Sequence, residues 1–403
     1  MEEGAVIDLG GESRIVHDRS CSIKPGKIGR QRWIGAGLLV ASLSSCATFT
    51  TMLGPVGGWP EARPLPVEGT DLFDWKGMVH CHSYLSHDSS GTIPEIRDAA
   101  SAARLDFLVM TDHQTDASIR DGVRGRLDDT LFLVGAEVRT PQGTVIAFPL
   151  RTPLRRFMSA GALIVEAQRQ GAIGIMAHAE AWNDWGVDNV TGVEIVNLHA
   201  GALAADPVSV ILTTLFLPIR SLMRRISVRD PEIFRHWDEA LAARHPLSPV
   251  GGGDAHASIR AFGPLGGTIG NYREVFLTVS THVLATECTE ESIVEAFRAG
   301  RSYVSFDVFG EGSGFDFRAM DADGVHVLGA TVDASESLRL LVRTPSVARI
   351  ELWRDGEIVE RHEGTEFEFD RPEPGIYRVE ARTPRDTPWL FSGSIRVTAA
   401  EAR

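Results

Sequence analysis

The chain has 403 residues, 43% hydrophobic and 23% charged, which suits two domains, or one large domain with an appendage, built on an ordinary apolar core. A formal charge of −14 argues against a basic surface that grips nucleic-acid backbones, so no nucleic-acid duplex is expected as a partner, although bound metal ions can reverse the field locally for an anionic substrate. Cys21, Cys46, Cys81 and Cys288 form neither a disulfide framework nor a zinc-finger pattern.

Residues 1–46 have the layout of a secretory signal. Lys24, Lys27, Arg30 and Arg32 precede the apolar run 33–43, which is too short to span a bilayer as a permanent helix. The run ends in LSSC at 43–46, which resembles a bacterial lipobox and implies lipidation at Cys46. That implies attachment to a bacterial membrane, on the periplasmic or extracellular side of the cell envelope. A buried core helix or an uncleaved anchor is the alternative. Residues 47–74, with Gly54, Pro55, Gly57, Gly58, Pro60, Pro64 and Pro66, read as a linker.

From 75 to 310 short apolar runs alternate with amphipathic stretches. FLVMT (107–111), TLFLVGAEV (130–138), GTVIAFPL (143–150), AIGIMAH (172–178), GVEIVNL (192–198) and SPVGGGDAH (248–256) predict strands. PEIRDAASAARL (94–105) and GALIVEAQRQG (161–171) predict helices. Such alternation implies an α/β fold with parallel strands covered by helices, open or closed into a barrel, with its chemistry at the carboxyl ends of the strands. The segment 207–219 is almost unbroken apolar sequence followed by Arg220, Arg224, Arg225 and Arg229, and predicts either a packed helix or one lying on a membrane. From 311 to 403 the pattern changes to period two: 338–344, 348–356, 365–370, 375–383 and 392–398 predict short strands of a small all-β sandwich, with a hairpin turn at RDGE (354–357).

Histidines and carboxylates cluster where the apolar runs end: HCH (80–82), SHD (86–88), TDH (111–113), GAE (135–137), AHAE (177–180), EIVNLH (194–199) and GDAH (253–256). Alternate residues of a strand point the same way, so His80 with His82, and Asp254 with His256, can each chelate one ion. Imidazole with carboxylate suits zinc, manganese or iron, and motifs without cysteine disfavour a structural thiolate site. His17, His236, His245, His282, His326 and His362 lack such a context.

These motifs, in this order and led by GMVHCHSYLSHDSSGT and LDFLVMTDH, resemble the polymerase and histidinol phosphatase (PHP) family of metal-dependent phosphoesterases over about residues 75–307. The resemblance implies a distorted (β/α)7 barrel with two or three divalent ions at the strand ends. It implies His80, His82, His113, Glu137, His178, Asp254 and His256 as metal ligands, with Glu137 bridging. His87 or its neighbour Asp88 would supply a further ligand, as would His199, and Asp112 would orient His113 or touch the metal. Glu137, His178 and Asp254 would be the residues closest to catalysis. One departure stands out: Thr144 occupies the position where family members commonly carry a histidine.

The implied activity is hydrolysis of a phosphate ester, mono- or diester, on a phosphorylated small molecule or nucleotide. Metal-activated water would attack, and Arg260, Arg273 and Arg301 are candidate phosphate clamps. An amidohydrolase-type barrel is a rival, but that type usually calls for a metal-bridging lysine and no lysine follows Lys76. A non-enzymatic envelope binding protein with a degenerate metal site is the other alternative.

Overall fold

The strand Phe73–Cys81 pairs in parallel with Phe107–Met110, which pairs in parallel with Thr130–Val134. These pairings belong to a computed structural model that describes residues 54–256 and 271–400. The leader, Cys46 and Arg260 lie outside the described residues. Beyond Gly135 the chain resumes as Ala136–Arg139, antiparallel to Thr144–Phe148, which is antiparallel to Ile173–Ala177. Parallel pairings then join Ile173–Ala177 to Gly192–Asn197, Gly192–Asn197 to Ser248–Ala255, and Ser248–Ala255 back to Phe73–Cys81. The circuit ends on the strand where it began.

Two details differ from the sequence pattern. The run 130–138 is two strands, because the chain bends at Gly135, where a Cβ would lie 2.6 Å from the Ala147 carbonyl oxygen and 2.8 Å from Phe148 Cβ. Thr144–Phe148 runs against both neighbours instead of parallel to them. Only a tight turn, closed by Thr140 N–H to Gly143 O at 3.0 Å, links it to Ala136–Arg139. A parallel crossover needs a dozen or more residues, so the turn dictates the direction.

Side chains alternate across these strands and build two apolar layers. Val79, Phe107, Val109, Leu133, Ile146, Phe148, Ile175 and Val250 form the inner one, closed by Ile293, Val294 and Phe297 of the helix Glu290–Arg298. Met78, Leu108, Met110, Val145, Met176 and Ile195 face outward under helices. Helix Ile93–Ala102 starts at a capping box between Thr92 and Glu95 and buries Ile96, Ala99 and Ala100, one helical stripe. Ala160–Gln168, capped by Ser159, buries Leu163, Ile164 and Ala167 in the same way. Each such fully buried large side chain contributes about 1.5–3 kcal/mol.

Among the described residues no helix follows Glu290–Arg298. The strands Asp316–Asp321, Gly324–Val327, Thr331–Asp333, Arg339–Arg354, Glu357–Asp370, Gly375–Arg382 and Pro388–Thr398 pack a separate apolar cluster that includes Leu340, Val342, Ile350, Leu352, Val379 and Trp389. The runs 338–344 and 348–356 are a single strand with a register shift between Arg343 and Ala348, and its hairpin partner begins at Glu357, eight residues before the predicted start. The turn itself is two residues, Asp355 (φ 51°) and Gly356 (φ 84°), the left-handed pair that matches strand twist. Pairing of Ser302–Ser305 with Pro388–Thr398 makes the whole set of strands continuous. The Arg378 guanidinium donates to both Asp238 carboxylate oxygens (2.6 and 2.7 Å), tying Gly375–Arg382 to the helix Pro231–Ala243.

Candidate metal centre

The histidines of the HxH motif reach the same place by a break in the strand. Val79 joins the inner layer and Cys81 the outer one, which regular alternation forbids for residues two apart. The break is at His80, whose φ of 73° is left-handed, and the pairing register shifts on both sides of it. His178 (φ 50°) and Asp254 (φ 47°), at the ends of their own strands, share that conformation. Three non-glycine residues in a costly backbone region, all on one rim, mark a site that the surrounding fold holds in place.

Glu137 is the hub. Its Oε2 lies 3.6 Å from His80 Nε2, 3.3 Å from His82 Nε2 and 3.4 Å from His113 Nδ1, while Oε1 lies 3.2 Å from His178 Nε2. Asp254 faces it: Oδ1 is 3.2 Å from His80 Nε2 and 3.5 Å from His82 Nε2, and Oδ2 is 3.2 Å from His199 Nδ1 and 3.6 Å from His178 Nε2. A second group centres on Asp88, whose Oδ2 is 2.9 Å from His113 Nε2 and 3.4 Å from His256 Nε2. His256 also stacks on His82 with ring centres 4.2 Å apart. Of the two adjacent candidates, Asp88 makes these contacts, while His87, though exposed, has its ring 4.8 Å from that of His113 and forms with Asp88 and His113 another group that could hold an ion.

Ligand atoms around one ion with bonds of about 2.1 Å are separated by about 3.0–3.4 Å, against 2.9–3.6 Å for the pairs here. His80 Nε2, His82 Nε2 and Asp254 Oδ1 are buried and have no hydrogen-bond partner. Buried polar atoms left unpaired cost about 1–3 kcal/mol each, so three of them converging on one point fit an ion rather than an empty apolar space. His80, His82 and Glu137 form one such group, His80, His178 and Asp254 a second, and His82, Asp88 and His256 a third.

Several supporting residues escaped the sequence reading. Glu194, fully buried, accepts from His80 Nδ1 at 2.7 Å, from the His178 main-chain N–H at 2.7 Å and from Asn197 Nδ2 at 3.0 Å. Its signal was its place at the head of EIVNLH (194–199), a motif singled out in the sequence without a role for the carboxylate. Ser86 Oγ donates to Asp88 at 2.7 Å and accepts the His113 N–H at 3.2 Å. Asp112, predicted to orient His113 or touch metal, instead takes the Ser83 N–H (2.5 Å) and hydroxyl (2.9 Å), fixing the turn after the HxH motif.

The protein without metal strains electrostatically at this point. Burial alone would raise the Glu137 carboxyl, but the rings of His178, His80 and His82 hold it far below the usual range. Asp254 is likewise held well below, burial being outweighed chiefly by His80 and His199. Burial would lower His178, yet Glu137 and Glu180 push it up to about 10. Burial and the neighbouring His82 lower His256. The carboxylates are thus ionised beside imidazoles that hold protons, charges that a bound cation would displace.

Other candidates fall elsewhere. Arg301 donates from Nε to the Leu284 carbonyl at 3.1 Å. Leu284 pairs with Asp74, six residues before His80 on the same strand, about 20 Å from the ligands and near the opposite rim. Closeness in sequence to the last barrel strand did not reveal which rim the arginine would meet. Arg273, by contrast, sits in the short helix Tyr272–Phe276, whose Tyr272 hydroxyl donates to the His82 carbonyl at 2.6 Å. Thr144 pairs with Ala177, next to His178, and shares the inward parity of Ile146 and Phe148. Lys76 is buried between Asp307 (2.7 Å) and Glu311 (2.8 Å), away from the ligands, and bridges no ions. Ser280, His282 and Asp74 line up as a serine–histidine–aspartate relay (3.1 and 2.7 Å), but Ser280 also donates to Asp307 and all are sealed from solvent. They are a structural network and no nucleophile.

No family model and no curated protein matches the chain. Among solved structures it is similar to a two-domain protein containing a predicted PHP-like metal-dependent phosphoesterase from Bacteroides vulgatus ATCC 8482, at 16% identity over 84% of this chain and 100% of that one. The TM-score is 0.41, too weak a likeness to define a common fold.

Proposed function

We propose that the protein is a metal-dependent phosphoesterase of the PHP type, with residues 75–310 forming a distorted (β/α)7 barrel and 311–403 a small all-β sandwich, anchored to the bacterial envelope by lipid on Cys46. The observation that carries the reading is that His80 Nε2 and His82 Nε2, buried and unpaired, meet both the hub carboxylate Glu137 and the unpaired Asp254 Oδ1. When bound, two or three divalent ions would supply Lewis acidity and a water acidic enough to attack phosphorus. His80, His82, Glu137 and Asp254 would hold one ion, with Glu137 reaching toward His113 and His178 for another. Asp88, His256 and His113 would complete a third position, with His199 at its edge. Glu194 keeps the His80 proton on Nδ1 and so leaves Nε2 free to ligate. Bound cations would draw an anionic ester to this rim of imidazoles and carboxylates.

Metal analysis of the purified protein, followed by a panel of phosphomonoesters and phosphodiesters with manganese, zinc and iron separately, tests the reading. Metal-dependent release of phosphate or alcohol is the expected result. A protein that binds no transition metal, or cleaves neither ester class, overturns it.

A further inference from the structure

The strand Gly192–Asn197 leads straight from the site into three helices. His199, whose ring meets Asp254, lies in Leu198–Ala204, and Pro207–Phe216 and Ile219–Ile226 follow. Thr213 is 4% exposed and Val210 packs partly against the core, so one side of Pro207–Phe216 faces inward. The other side carries Val208 and Leu212, one turn apart and 63% and 51% exposed. Leu203 (77%) and Leu217 (52%) are exposed at the flanking turns. Large apolar side chains grouped in this way on a soluble surface mark a contact with something else.

Three observations say what that is. From 207 to 229, after the exposed capping residue Asp206, the sequence carries Arg220, Arg224, Arg225 and Arg229 and no acidic residue, in a chain of net charge −14. Glu380 occupies Arg229 and the Val308 carbonyl accepts from Arg224, whereas Arg225, on the helix that follows Pro207–Phe216, is exposed. The Arg220 guanidinium donates to the Gly54 carbonyl, so the chain running from Cys46 arrives beside these helices. Seven residues separate Gly54 from Cys46, so the lipid proposed there would be tethered within about 29 Å of Gly54. A ten-residue helix is about 15 Å long, and no described helix is long and apolar enough to cross a membrane. A two-fold contact between copies would bring two acid-free arginine sets together, which electrostatics opposes.

We infer that this apolar, arginine-edged face seats in the headgroup layer of an anionic lipid bilayer and holds the metal centre at the membrane surface. The inference does not depend on the reaction the centre performs. An apolar ridge with a basic border gains both acyl contact and attraction to anionic headgroups.

The test uses the full chain carrying Leu212→Trp, with Val347→Trp, an exposed position on Arg339–Arg354, as the comparison. Each is mixed with phosphatidylglycerol vesicles whose acyl chains are brominated, and the fluorescence is read as a difference from the unsubstituted chain. Leu212→Trp should shift to the blue and be quenched about twofold more than Val347→Trp, and the effect should shrink in phosphatidylcholine or high salt. Equal quenching at both positions overturns the inference. So does emission already blue-shifted without vesicles, which would mean that the chain covers the face itself. A concentration-dependent dimer that Leu212→Glu abolishes would assign the face to a second copy and likewise overturn it. Metal content and turnover of a soluble ester by Leu212→Glu report on the hydrolase reading separately and should match the wild type.

Discussion

Glu194 accepts the Nδ1 proton of His80 at 2.7 Å, with both side chains sealed from solvent. The contact fixes the tautomer that leaves Nε2 as a ligand. Glu194→Ala should weaken metal affinity by about 10–100-fold, as loss of such a supporting partner does. Glu194→Gln, whose amide oxygen still accepts the proton, should recover much of that loss. Equal affinities for wild type and Glu194→Ala in a competitive chelator titration would remove the residue from the site.

Glu137 touches four histidines through two oxygens, whereas His199 meets one carboxylate oxygen. Glu137→Ala should therefore lower the metal-to-protein ratio by more than one ion's worth of binding and reduce turnover more than His199→Ala. His245 serves as control: burial and Arg396 lower it to about 4, so it is neutral and outside the ligand groups. His245→Ala should leave metal content unchanged. Plasma emission spectrometry on the folded variants decides, and parity of Glu137→Ala with His245→Ala would falsify the hub role.

Metal uptake should release protons. In the metal-free protein His178 is raised to about 10, so it carries a proton at pH 7.5 that ligation must displace. Affinity should rise with pH through the neutral range. Calorimetric titration in buffers of different ionisation enthalpy reads the released protons directly, and identical enthalpies in all buffers would refute the protonated state.

Asp74 governs acid stability on the other side of the molecule. It accepts from His282 Nδ1 (2.7 Å), Tyr303 OH (2.8 Å) and the Gly314 N–H (2.9 Å). Burial alone would raise its carboxyl, but His282 and Arg63 bring it from 3.8 down to about 2. A folded pKa below the unfolded one stabilises above pH 4 and is lost as pH falls toward 2, a contribution of about 2 kcal/mol. Urea unfolding of wild type and Asp74→Asn at pH 7, 4 and 3 should show a flatter pH dependence for the variant. Parallel curves would contradict it.

The sequence displayed the parts of the site that sit at strand ends, because an apolar run closing on a histidine or carboxylate is a local pattern. His80, His82, Glu137, His178 and Asp254 meet for that reason, and RDGE turns because Asp and Gly tolerate left-handed φ. Other features depend on distant partners. The break in alternation at His80 comes from the register of two neighbouring strands, and Glu194 looks like an oddity in a strand until His80 arrives from 114 residues away. Arg301 could not be assigned to a rim without the pairing of Leu284 with Asp74.

The strand Phe73–Cys81 has consequences for how the molecule is made. Its first half pairs with Ser280–Ala285 and its last residues with Ser248–Ala255, both supplied far later in the chain. Nascent chain emerging in order can pair one edge of this strand with Phe107–Met110 early, but must keep the other edge open until about residue 285 has appeared. Contacts so distant in sequence are slow to form and leave hydrophobic edges for chaperones to shield. Until then His80 and His82 have Glu137 but no Asp254 or His256 to meet, so the full set of ligands is assembled only at the end of folding.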